Sequence, residues 1–184
     1  MSGGSAPSAN GEGQLQELMR GGRMAEALTI LGARLRADAD DREALYLAAV
    51  CSRFQKAHPD AEAYLDRLLR QAPEDGRALQ ELGHLHRDQG RDEAAVAAFQ
   101  ASLRGQLVRP GDEEYEAARQ VYNGMIDRYP RMIARCAGVA DVISAVNFAR
   151  DHGLALAVRG GGHNGAGLAV CDDGLVIDLS LMKG

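Results

Sequence analysis

The densest chemistry in this 184-residue chain lies in the run Arg159-Gly160-Gly161-Gly162-His163-Asn164-Gly165-Ala166-Gly167. Three successive glycines present no side chain to hold a ligand away. Backbone N–H groups can therefore close on a phosphate, and the loop can take dihedrals barred to other residues. The order is not the G-x-G-x-x-G of dinucleotide-binding turns. His163 adds a nucleophile, since an unperturbed imidazole titrates near 6.5 and offers a neutral ring nitrogen around pH 7. Taken alone, the same run also describes a turn in which His163 bonds its own loop.

The other candidates read as structural. His84 and His86 are two residues apart on a helical stretch, so they point to different faces and cannot share a metal as an i, i+4 pair can. His152, before Gly153, complements the C-terminal dipole of a helix. Arg159 enters a turn and is read as a surface or loop-bracing residue. Cys51, Cys136 and Cys171 are odd in number and too widely spaced for a disulfide framework or a Cys-x-x-Cys site, so reduced thiols and no metal site are expected.

Regular elements must carry the glycine run. Arg131–Cys136 predicts a strand, and Asp141–His152 a helix that buries Val142, Ala145, Val146 and Ala149 and ends at Gly153. Leu154–Val158 and Leu175–Leu179 predict two further strands, the latter apolar throughout, as in a sheet covered on both faces. The glycines thus follow a strand-helix-strand unit directly. Upstream, Tyr115, Ala118, Val121, Tyr122, Met125 and Ile126 recur at helical spacing, which predicts one helix over 112–128, closed by Pro130.

The first half has another character. Of the 22 glycines, 11 fall in 109–184, whereas 14–104 reads as amphipathic helices with isolated glycines. Pro110 and Gly111 mark the joint. Aligning Arg42 with Gly76, 34 residues on, pairs Leu45 with Leu79, Ala48 with Leu82, Ala49 with Gly83, Ala61 with Ala95 and Leu65 with Phe99. Doubling the shift pairs Gly22-Arg23 with Gly90-Arg91. Small residues at fixed places let paired helices approach closely while Leu65 or Phe99 fills the space beside them. This period resembles the tetratricopeptide repeat. Three repeats are expected over 14–107, the first degenerate because Gly11 and Gln14 stand where apolar residues belong. Such an array implies a groove for a protein or peptide partner, with Arg53, Gln80 and Arg87 as candidate lining residues.

Composition narrows the field. With 46% hydrophobic and 26% charged residues, the chain has the balance of an ordinary globular protein. A net charge of −5 with basic residues dispersed, and no Trp, argue against nucleic acid and anionic membrane as partners. Residues 1–13 are Gly, Ser, Ala and Asn without a basic or apolar segment, which predicts a disordered lead-in and a cytoplasmic protein.

The second half, 109–184, resembles one family along its length. The segments are Val121-Tyr122-Asn123, Ile133-Ala134-Arg135-Cys136, Asp141-Val142, Phe148-Ala149-Arg150, Ala157-Val158-Arg159-Gly160-Gly161-Gly162-His163-Asn164 and Val176-Ile177-Asp178-Leu179-Ser180. They are similar to the FAD-linked oxidases with the fold of vanillyl-alcohol oxidase and p-cresol methylhydroxylase, in the berberine-bridge-enzyme-like branch. The resemblance implies an FAD-binding α/β subdomain after the helical-repeat solenoid. In it Gly160, Gly161, Gly162, His163 and Asn164 bind the cofactor, the glycine amides hold the FAD pyrophosphate, and His163 is joined covalently to the flavin 8α-methyl. Cys171 does not match the family's second attachment point. The family continues with the rest of the flavin domain and a substrate domain, so this chain is expected to be a partial cofactor-binding unit of an oxidoreductase whose substrate is unknown. The alternative is a tetratricopeptide scaffold with a flavin-domain remnant that no longer functions.

Overall fold

The computed structural model describes residues 9–182. Most of the expected lead-in, residues 1–8, lies outside the described residues. From Ala9 the chain is helical: α1 (Ala9–Arg20), α2 (Met24–Ala37), α3 (Arg42–Phe54), α4 (His58–Gln71), α5 (Gly76–Asp88) and α6 (Asp92–Ser102). Among the described residues, no helix is long and apolar enough to cross a membrane.

Two compact units result, Met1–Leu85 and His86–Gly184. In the first, α2 packs on α3 and α3 on α4. The close approach comes from the small residues that the period aligns: Ala27, Ala48, Ala49 and Ala61 are fully buried, with Leu31, Leu45 and Leu65 filling the gaps between helices. α1 joins this core through Leu15 and Leu18. Helix starts repeat as well. Asp41 caps α3 by accepting the Ala44 N–H at 2.9 Å, and Asp75, at the same place one repeat on, accepts the N–H groups of Arg77 and Ala78 at 3.1 Å. Arg53, a candidate groove residue, is taken up by Glu81 at 2.6 Å, with both side chains largely buried.

The second unit contains α6, β1 (Gln106–Val108), α7 (Tyr115–Arg119), β2 (Met132–Arg135), α8 (Val139–Asp151), β3 (Leu156–Arg159) and β4 (Leu175–Asp178). The strands form one sheet in the order β1-β2-β4-β3, with β2, β4 and β3 parallel and β1 antiparallel at the edge. β4 is buried on both faces and lies between β2 and β3, so the α8 crossover passes over it. Leu107, Met132, Ala134, Leu175 and Ile177 meet α6 and α8 on one face, where Phe99, Phe148 and His152 stack at 4.3 and 4.0 Å. Val108, Ile133, Ala157 and Val176 pack with Tyr115 on the other.

Several local expectations change. The helix expected over 112–128 is reduced to Tyr115–Arg119. Beyond it the segment is held by other bonds: the Tyr122 N–H donates to Gly162 O at 3.2 Å, the Asn123 side-chain Nδ2 donates to Gly165 O at 3.0 Å, and Asp127 pairs back with Arg119. Asn123 and Gly124 are poor helix formers, so little helix propensity opposes this. The joint at 105–111 contains a strand, because Leu107 and Val108 find a partner in β2 that local sequence does not reveal. Gly105 is required there: a Cβ on it would lie 1.9 Å from Arg135 O. β3 is not covered on both faces, since Leu156 and Val158 are 41% and 54% exposed. In α8, Phe148 takes the buried place expected for Val146, which faces solvent. Asp141 is fully buried and accepts backbone N–H groups of Arg104, Gly105 and Ala137 at 2.8–3.0 Å, tying the start of α8 to the joint.

Candidate functional site

The parallel strands β2, β4 and β3 end together, and at their C-terminal edge the register aligns Arg135, Asp178 and Arg159 in a row. Alternation along each strand puts these three side chains on the face of Ile133, Ala157 and Val176. In open parallel sheets this edge is where ligands bind.

Arg159 carries the tightest contacts of the row. Its guanidinium donates to Asp178 at 2.7 Å, to Gln120 O at 3.1 Å and to Ala118 O, with side-chain exposures of only 9% for Arg159 and 3% for Asp178. One side chain thereby fixes the end of β3, the end of β4 and the segment after α7. Burial pushes the Asp178 carboxyl up, but the Arg159 hydrogen bond and the Ser180 N–H at 3.0 Å outweigh it and hold the group below its ordinary value. The residue read from sequence as a surface or bracing arginine is a buried brace.

The glycine loop leaves β3 directly from Arg159. Gly162 has φ +70°, a left-handed conformation that favours glycine, and a Cβ on Gly161 would come within 2.7 Å of the His163 ring. At Gly160, apart from its chain neighbours, no protein atom lies within 4 Å of where a Cβ would stand. Among the described residues, the N–H groups of Gly160, Gly161, Gly162 and His163 donate to no protein acceptor. The loop is held through its other atoms. Gly162 O accepts from Tyr122, and Asn164 Oδ1 accepts the N–H groups of Ala166 and Leu168 at 3.0 and 3.2 Å, so that oxygen is committed to shaping the loop. Further on, Gly167 closes against Ile126.

Gly160, Gly161 and Gly162 border a cleft of about 430 Å³ together with Tyr122, Arg135, Arg159, Asp178 and Ser180. His163 lies exposed beside it, its ring 5.3 Å from that of Tyr122 and tilted by 60°. Four adjacent unpartnered donors and a guanidinium at one cleft suit an anionic diphosphate, and the neighbouring imidazole can serve as a nucleophile. Sequence reasoning singled out the glycines and His163. It missed Tyr122, placed in the interior of a helix, and Arg135 and Ser180, whose position depends on strand register.

His152 stands apart from the site, with Nδ1 bonded to Phe148 O at 2.9 Å at the end of α8. The three cysteines are free, and burial raises the thiols of Cys51 and Cys136 to about 11. No cluster of His, Cys, Asp or Glu fit to hold a metal occurs among the described residues.

Comparison with known proteins finds two families along the chain. The tetratricopeptide repeat profile matches residues 13–75 and 58–107, and that of the FAD binding domain matches 130–184. The chain is 41% identical over 82 residues to (R)-6-hydroxynicotine oxidase of Paenarthrobacter nicotinovorans, covering 45% of this chain and 18% of that protein. It is 37% identical over 81 residues to an FAD-linked oxidoreductase of Bacillus subtilis, covering 44% and 18%. Among solved structures, 6-hydroxy-D-nicotine oxidase from Arthrobacter nicotinovorans shows 40% identity and a TM-score of 0.44 over 45% of this chain and 18% of that one. The BBE-like 1 protein of Physcomitrella patens shows 31% identity and the same TM-score over 48% and 20%. The chain thus spans about a fifth of the length of the relatives it matches.

Proposed function

Because this chain belongs to the tetratricopeptide repeat family and also carries an FAD binding domain, we propose that its second unit is the cofactor-anchoring portion of an FAD-dependent oxidoreductase of the berberine-bridge-enzyme-like kind. The observation that carries this reading is the row of unpartnered amides from Gly160 to His163 at the C-terminal edge of the parallel strands. Gly160, Gly161 and Gly162 hold the FAD pyrophosphate through their N–H groups. Gly162 keeps the loop in its left-handed bend, and Asn164 locks the following turn. Arg159 and Asp178 hold the loop in place from beneath without being consumed by the ligand.

When bound, FAD supplies two-electron oxidation of an organic substrate. In this reading His163 would be the attachment residue: a ring nitrogen would take the place of one hydrogen on the flavin 8α-methyl carbon, that C–H bond breaking with loss of its proton and its two electrons passing to the flavin, which dioxygen would reoxidise. The exposure of His163 leaves its ring accessible, with the Tyr122 ring 5.3 Å away. The repeats over 13–107 contribute protein-interaction capacity, and a peptide partner in their groove belongs to the same proposal.

The test is mass spectrometry of the chain after incubation with FAD and denaturation. The expected result is a flavin adduct on the peptide containing His163, absent in His163→Ala while that variant still binds FAD reversibly. Reversible binding without an adduct on the unmodified chain removes the covalent step and leaves the binding step. No binding at all removes both.

A further inference from the structure

We infer that Arg135 is a ligand-binding residue of this site, supplying the cation that pairs with a diphosphate held by the glycine loop. The inference deepens the proposed function and rests on it. Across the strand ends, one carboxylate, Asp178, stands between two guanidinium groups. Arg159 is fully engaged, with the carboxylate on one side and two backbone carbonyls on the other. Arg135 is not engaged in this way. Its Nε lies 3.8 Å from Asp178, beyond hydrogen-bond reach, no other side chain pairs with it among the described residues, and its side chain is 31% exposed and borders the cleft.

A guanidinium has five N–H donors, and one left without acceptors at the wall of a cleft calls for an anion. The same cleft is lined by Gly160, Gly161 and Gly162, whose N–H groups donate to no protein acceptor among the described residues. Asp178 is neutralised by Arg159, so the charge of Arg135 remains in excess at the strand ends. Glu114 also borders the cleft, but it is exposed and screened by water. Planar guanidinium donors and backbone donors lining one cleft suit a group with oxygens on two linked phosphorus atoms.

The test measures binding of FAD and of inorganic pyrophosphate to the full chain by titration calorimetry at several KCl concentrations, for the unmodified protein, Arg135→Gln and Arg135→Lys. Expected are a loss of about tenfold or more in affinity for both probes in Arg135→Gln, a smaller loss in Arg135→Lys, and a shallower salt dependence only in Arg135→Gln. A merely structural arginine would not change the salt slope, and the melting temperature of each variant checks the fold. If the unmodified chain binds both probes and Arg135→Gln binds them equally with an unchanged slope, the inference fails while the glycine-loop reading stands. If the unmodified chain binds neither probe, the reading and the inference fall together.

Discussion

The helical unit Met1–Leu85 and the sheet unit His86–Gly184 are held together by different means. In the first, buried alanines let helices approach and leucines fill the space beside them, and the same residue types return every 34 residues along with the capping aspartates Asp41 and Asp75. In the second, the decisive contacts are singular: Asp141 on three backbone amides, Arg159 across three segments, Gly105 against Arg135 O. A repeated unit spreads its stability over many similar contacts. The sheet unit instead concentrates it in a few buried polar groups, whose loss leaves a partner stranded.

That contrast can be tested by substitution. Arg159→Ala should have the largest effect, about 3–5 kcal/mol, because it leaves the Asp178 carboxylate buried and unpaired. Hydrogen exchange of the β4 amides during urea titration measures it, and a loss under 1 kcal/mol would contradict the bracing role. The same pair gives the second unit an acid sensitivity. Asp178 is held below the ordinary carboxylate value of 3.8, so its contribution is complete above that pH and disappears as pH falls through the lower folded value. Acid titration of β4 protection should show this loss in the unmodified chain and not in Asp178→Asn. Next, Leu65→Ala should cost about 2–5 kcal/mol in the first unit through transfer and cavity terms, read from amide exchange in α4. Asp41→Ala removes a helix cap and should cost about 1 kcal/mol. Asp41 also pairs with Arg34 at 2.7 Å, whereas Asp75 has only exposed Arg42 at 3.4 Å. In an Arg34→Ala background, Asp75→Ala and Asp41→Ala should therefore cost the same, and a loss at Asp75 several times larger would show that the period does not extend to the caps.

How far each unit was legible from sequence follows the same line. The helix pairs could be read because each helix repeats the signal of the one before it, and Ala49 and Gly83 or Leu65 and Phe99 reinforce one another at a fixed offset. The glycine run and His163 could be read because their chemistry is local. The segment from Val121 to Arg128 could not, since its helical spacing of apolar residues is overridden by bonds from Tyr122 and Asn123 to the glycine loop some forty positions away. The strand at Gln106–Val108 is three residues long and exists only through pairing with β2. Arg135 acquires meaning only when parallel register places it beside Asp178 and Arg159.

FAD is proposed to lie on the glycine loop of the second unit. The most direct measurement is amide chemical-shift mapping of the full chain, isotopically labelled and titrated with FAD. Shifts are expected on Gly160, Gly161, Gly162 and His163 and on the neighbouring ends of β2 and β4, with α1 through α4 unmoved. A saturating titration that leaves the loop amides in place, or that moves the helices of the first unit instead, would contradict it.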